Sequence, residues 1–181
     1  FHQFYIDDIL VIPSWENVEA KDSDKMVIHI DPGTAFGTGM HETTQLVIKQ
    51  LEKYVTPETD MLDVGTGSGI LAVIARMLGA RSIIGTDLDE NAITASAENM
   101  EANGFSPDIF KVIQGNIIDD KAVQDEVGYE KYDVVTANIL ADVIMPLSKE
   151  IAQHIKHGGV FITSGIIDMK EETVKDNYGE S

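Results

Sequence analysis

Apolar and polar positions along this chain follow two periods, and they predict two kinds of element. Ile9, Leu10, Val11 and Ile12 make a strand-like run stopped by Pro13, and Met26 to Ile30 makes a second. A loop rich in Gly and Thr follows, from Asp31 to Thr43. Val47, Leu51 and Tyr54 then recur at four- and three-residue steps, which predicts a helix starting near Thr43 or Thr44. After Pro57 the pattern alternates. Met61 to Val64 is a short apolar strand. Ile70, Ile74, Met77 and Leu78 share one side of a helix that Gly79 ends. Ser82 to Thr86 is the next strand. Asp89 is placed to cap a helix that carries Ile93, Ala97 and Met100 inward and stops at Asn103-Gly104. Strands are expected at Ile109 to Ile113 and Tyr132 to Ala137. A helix around Val143 to Ile155 should then end at Gly158-Gly159, before a last strand at Val160 to Thr163.

Short apolar strands alternating with helices imply a parallel sheet covered on both faces. Right-handed crossovers make it an α/β, Rossmann-like, doubly wound, mostly parallel sheet. The expected organisation is one domain over 1–181, with an entry segment of two short strands (1–30) leading into an α/β core (31–181). No run approaches the roughly 20 apolar residues of a membrane span, so no membrane partner is expected.

Composition narrows the chemistry. The chain has 181 residues and no cysteine, so thiolate nucleophiles, disulfides and Cys-based zinc sites are excluded. The five histidines show no ligand spacing, and no metal is expected. The net charge is −18, from 31 acidic and 13 basic residues. Such a surface repels phosphate backbones, so direct nucleic-acid binding is not expected, whereas a basic protein partner would be attracted. The plainer alternative is a solvated acidic surface that keeps the protein soluble. A cytoplasmic monomer fits these features. The chain begins at Phe1 rather than Met and reads as a piece of a longer protein.

The first core strand runs into Asp63-Val64-Gly65-Thr66-Gly67-Ser68-Gly69, directly before a helix. On doubly wound sheets ligands sit at the carboxyl ends of the strands. The next strand ends at Asp87, 22 positions after Gly65, where a carboxylate can accept hydrogen bonds from both ribose hydroxyls of a nucleoside. A dinucleotide motif wants glycine at the first, third and sixth positions, but the sixth from Gly65 is Ile70. With glycines at 65, 67 and 69 after Asp63, the loop resembles the first motif of class I S-adenosylmethionine methyltransferases. Asp63 contacts the cofactor or only orients the loop. Asn116, in Gln114-Gly115-Asn116, either faces the adenine or serves as a turn residue.

The segment Asp31-Pro32-Gly33-Thr34-Ala35-Phe36-Gly37-Thr38-Gly39-Met40-His41-Glu42-Thr43-Thr44 contains every fixed letter of the pattern DPG-x-AFGTG-x-H-x-TT. Together with Pro13-Ser14-Trp15 and Asn138-Ile139-Leu140-Ala141, it closely resembles the catalytic domain of the ribosomal protein L11 methyltransferases, over nearly the whole chain. The resemblance implies S-adenosylmethionine as cofactor and methylation of lysine and amino-terminal amines of a basic ribosomal protein. It also implies a separate amino-terminal substrate-gripping domain, which this sequence does not contain. The family sheet carries two further strands, which the 16 residues after Gly165 can hardly supply.

The residues expected to hold the cofactor are Thr44, Gly65, Gly67, Asp87, Asn116 and Asn138. Asn138 is also the expected catalytic residue, its side-chain oxygen aiming an amine. Related amine methyltransferases follow that Asn or Asp with Pro-Pro and an aromatic, where this chain has Ile139-Leu140-Ala141. Thr44 either offers donors to the methionine carboxylate at a helix start or merely caps the helix. His41 is read as a loop brace rather than a general base. Three rival readings stay open: an NAD-dependent oxidoreductase, a non-catalytic binding module, and a methyltransferase for another protein or small-molecule amine.

Overall fold

The structure, a computed structural model, describes residues 2–31, 40–137 and 141–163. Two sheets carry it. In the entry segment, β1 (Phe4–Ile6) pairs antiparallel with β2 (Ile9–Pro13), which pairs parallel with β3 (Met26–Ile30). The segment therefore holds three strands where two were expected. The extra one is only three residues long, too short for its alternation to stand out.

The core alternates strand and helix, with one helix more than expected. After α1 (Met40–Tyr54) come β4 (Asp60–Val64), α2 (Ile70–Met77), β5 (Ser82–Asp87), α3 (Asn91–Ala102), β6 (Phe110–Gln114), α4 (Lys121–Val127), β7 (Tyr132–Ala137), α5 (Ala141–His154) and β8 (Ile155–Thr163). The five core strands are all parallel, in the order β6-β5-β4-β7-β8. Successive side chains of a strand point to opposite faces, and both faces are covered. Met61, Ile83, Val134 and Ile162 pack with the entry sheet, α1 and α2. Leu62, Val135, Ala137 and Phe161 pack with α4 and α5. Strand order reverses between β4 and β7, and a crevice opens at their carboxyl ends.

Four expectations need correction. Helix α1 starts at Met40, not at Thr43 or Thr44, so Thr44 lies in the second turn rather than at the cap position. On α3 the buried face is Ala92, Ser96, Asn99 and Met100, while Ile93 points outward at 42% exposure. Two polar residues hold the inner stripe there, which rotates the face away from the apolar one. Helix α4 was not foreseen; its seven residues carry few apolar positions, although Asp120 caps it by accepting from Ala122 N at 3.0 Å. Finally, α5 stops at His154 and β8 begins at once, running through Gly158 and Gly159 instead of starting after them. A Cβ on Gly159 would lie 2.6 Å from Ile155 Cγ1 and 3.0 Å from Tyr132 O, so the glycine permits a bulged strand rather than ending a helix. The two further family strands and Asn138 fall outside the described residues.

Candidate active site

A cavity of about 340 Å³ opens where β4, β5 and β6 end, lined by Gly65, Asp87, Leu88, Gly115 and Asn116, with Val143 and Leu147 of α5 across it. Four chain segments supply it, and only the parallel sheet brings their ends together.

The glycine turn builds one wall. Gly65, Gly67 and Gly69 all take left-handed backbone angles, with φ of 73°, 52° and 83°, a region in which a Cβ is strained. At Gly69 there is a second constraint, since a Cβ would sit 2.8 Å from Ser96 Cβ on α3. Gly69→Ala is expected to destabilise the fold by about 2 kcal/mol through strain and overpacking. A thermal melt should show this as a drop of roughly 4–8 °C.

Beneath the turn lies a buried carboxylate. Asp63, 1% exposed, accepts from Thr66 Oγ1 and from Thr136 Oγ1, each at 2.8 Å. It joins the turn to β7, and it does not line the cavity. Asp63 therefore orients the loop. Burial pushes its carboxyl up to about 6 against those two hydrogen bonds, and the nearby Asp87 charge pushes the same way. Neither threonine stood out in the sequence, because only the register of β4 against β7 places Thr136 beside Asp63.

Asp87, at the end of β5, is aimed by backbone. Its Oδ2 accepts from Gly67 N at 2.8 Å and its Oδ1 from Asp89 N at 2.9 Å. Each oxygen keeps a lone pair for a ligand. Asn116 fulfils the turn reading: its Oδ1 accepts from Ile118 N at 3.0 Å, while the residue also lines the cavity. The sequence reading missed the apolar lining. Leu88 is 69% exposed beside Asp87, and Ile118 and Val143 face the same space. Such isolated residues carry no periodic signal.

Four of the expected binding residues thus converge: Gly65, Asp87 and Asn116 line the cavity, and Gly67 holds Asp87. Thr44 is fully buried in α1 and is not among the described lining residues. Its backbone N–H lies within the helix rather than in its first turn. Among the described residues no cluster of metal-ligating side chains occurs, and no helix is long and apolar enough to cross a membrane.

The family model described as ribosomal protein L11 methyltransferase (PrmA) matches residues 1–181. The chain belongs to this family. It is 57% identical over 178 residues to the ribosomal protein L11 methyltransferase of Lachnospira eligens, covering 98% of this chain and 56% of that protein. It is 52% identical over 179 residues to the one from Agathobacter rectalis, covering 97% and 55%. The chain thus spans little more than half the length of these L11 methyltransferases. The crystal structure of the ribosomal protein L11 methylase from Lactobacillus delbrueckii subsp. bulgaricus superposes with a TM-score of 0.80 at 32% identity, covering 98% of this chain and 89% of that one. Class I methyltransferase architecture, implied by the resemblance of the glycine loop on a doubly wound sheet, is therefore the fold of this L11 methyltransferase family member.

Proposed function

We propose that this chain binds S-adenosylmethionine and forms the methyl-transferring domain of a protein N-methyltransferase that modifies lysine and amino-terminal amines of ribosomal protein L11. The observation that carries the reading is the Asp87 carboxylate, held by the Gly67 N–H at the mouth of the cavity. The residues present fit the adenosyl group. Asp87 offers two acceptors for the ribose hydroxyls, the glycine turn lets backbone approach closely, and Leu88, Ile118 and Val143 offer flat apolar area to a base. The amide nitrogen of Asn116 is the group left to read the edge of that base. Family membership and the relatives' names support the same acceptor chemistry.

When bound, the cofactor supplies an electrophilic methyl, so the protein's task is to align a nucleophile. A lysine amine is more than ~99.9% protonated at pH 7, given its ordinary pKa of about 10.4. Only its neutral form carries a lone pair, and an apolar setting favours that form. Asn138, one residue past the end of β7, is the group proposed to accept an amine N–H and aim the lone pair. Thr44 is proposed to act toward the methionine end. The net charge of −18 favours approach of a basic protein. A cytoplasmic setting goes with that substrate.

Calorimetric titration with S-adenosylhomocysteine tests the binding step, and saturable binding is the expected result. A folded protein that binds nothing at millimolar ligand would overturn the cofactor reading. Transfer of labelled methyl groups to purified L11, located by mass spectrometry, tests the acceptor. Label on another protein or on a small amine, and none on L11, would keep the chemistry and replace the substrate.

A further inference from the structure

Helix α3 does more than cover the sheet. β3 is an edge strand, paired with β2 along one side only, and an open edge leaves backbone groups without partners. Two side-chain amides take the place of the missing strand. Asn103 Oδ1 accepts from His29 N at 2.7 Å, and its Nδ2 donates to His29 O at 2.7 Å. One turn earlier, Asn99 Oδ1 accepts from Asp31 N at 2.8 Å, and its Nδ2 donates to Asp31 O at 2.9 Å. The spacing explains the match. Four residues of helix rise about 6 Å, and two residues of strand advance about 6.6 Å, so an Asn-x-x-x-Asn pair on the helix meets alternate residues of an edge.

The two amides differ in their remaining N–H. In Asn103 it returns to its own helix, donating to Asn99 O at 2.7 Å. In Asn99 it reaches the glycine turn, donating to Ser68 O at 2.7 Å. Asn99 is 2% exposed, both of its amide hydrogens are donated and its oxygen accepts. A single side chain therefore joins α3, the segment leaving β3 and the turn whose Gly65 lines the cavity and whose Gly67 aims Asp87. That turn holds three left-handed glycines and has wide backbone freedom when unanchored.

We propose that Asn99 is a positioning residue for cofactor binding, acting through Ser68 on the glycine turn, whereas Asn103 makes the matching tie to β3 without that role. This rests on reading the cavity as the S-adenosylmethionine site. The test compares Asn99→Ala, Asn99→Asp and Asn103→Ala for thermal stability and for S-adenosylhomocysteine affinity by calorimetry. Asn99→Asp retains an acceptor for Asp31 N–H and loses both donors, the one to Asp31 O and the one to Ser68 O. Both positions are expected to lower Tm, because both give up hydrogen bonds to the β3 edge. Only the Asn99 variants should raise Kd, by about tenfold, the scale of one lost anchoring hydrogen bond. Asn103→Ala should stay within about twofold. An equal rise in Asn103→Ala, or no rise in either Asn99 variant, would overturn the proposal. So would failure of both Asn99 variants to fold beside a folded Asn103→Ala, since Asn99 would then be purely structural. If the parent binds no S-adenosylhomocysteine, the reading of the cavity falls by itself. Amide hydrogen exchange at residues 66–69 then still decides the positioning role: faster exchange in Asn99→Asp than in Asn103→Ala supports it, and equal rates refute it.

Discussion

Asp87→Ala is expected to weaken S-adenosylhomocysteine binding by about 2–3 kcal/mol, the range for losing hydrogen bonds to a charged acceptor. In affinity this is a factor of about 30 to 150. The argument starts from geometry. Gly67 N and Asp89 N approach one carboxylate oxygen each, at 2.8 and 2.9 Å, so the group is already oriented before a ligand arrives. Little ordering entropy remains to be lost when the ribose docks, and the full worth of each bond goes into affinity. The loss should be specific to the ribose. A ribose-deoxy analogue should bind the parent and the variant almost equally, because the interaction removed by mutation is already missing from the ligand. A parent that binds the analogue as tightly as the intact nucleoside would show that Asp87 is not the ribose-binding group.

Asp63→Asn is expected to change how stability depends on pH, by about 3 kcal/mol across the acid range. Burial raises the Asp63 carboxyl to about 6 in the folded chain, from an ordinary value of 3.8. Between those two values the folded state binds a proton that the unfolded state has released. Stability must therefore fall as pH rises through this window, and the slope vanishes above about pH 6, where both states are ionised. At about 1.36 kcal/mol per pKa unit, the total is about 3 kcal/mol. Burial and the neighbouring Asp7 push Glu52 upward too, so the absolute profile of the parent mixes two groups. The difference between parent and Asp63→Asn isolates one. Urea melts from pH 4 to pH 7 should show the variant gaining on the parent as pH rises. Parallel profiles would mean that Asp63 is not held as a buried, proton-binding carboxyl. The buried charge has a structural reason: it accepts from Thr66 and Thr136 at once, which pins the glycine turn to β7. A neutral amide has a single acceptor oxygen and cannot accept from both hydroxyls on separate oxygens.

Much of the candidate site was legible from local pattern because its requirements are local. A turn that needs three left-handed residues shows as three glycines. The acidic residue at the end of the next strand shows by its distance along the chain, since a strand–helix–strand unit has a narrow range of lengths. The signature from Asp31 to Thr44 pointed to the family that the match over residues 1–181 established. Less legible was what depends on two segments meeting. Thr136 carries no mark of its own, yet the β4–β7 register sets it on Asp63. Asn103 read only as the stop of a helix whose apolar stripe ran through Ile93, Asn99 carried no reading, and the stripe was misplaced because their partners lie 74 and 68 positions away in sequence. The start of α1 was set too late for a similar reason, since Met40 to Thr43 continue a loop-like composition.

What the sequence determined by itself is the order of the core strands and of every core helix but α4, the parallel sheet that this order requires, and the glycine turn with its acidic partner. Period-2 and period-3.6 burial patterns and the steric demands of left-handed backbone act within a few residues, so they are written locally. The tertiary structure alone decided which polar side chains brace that turn, how β3 closes its open edge on α3, and which apolar residues complete the cavity. Each of these rests on hydrogen bonds or packing between segments far apart in the chain, and such pairings exist only once strand register and helix rotation are set.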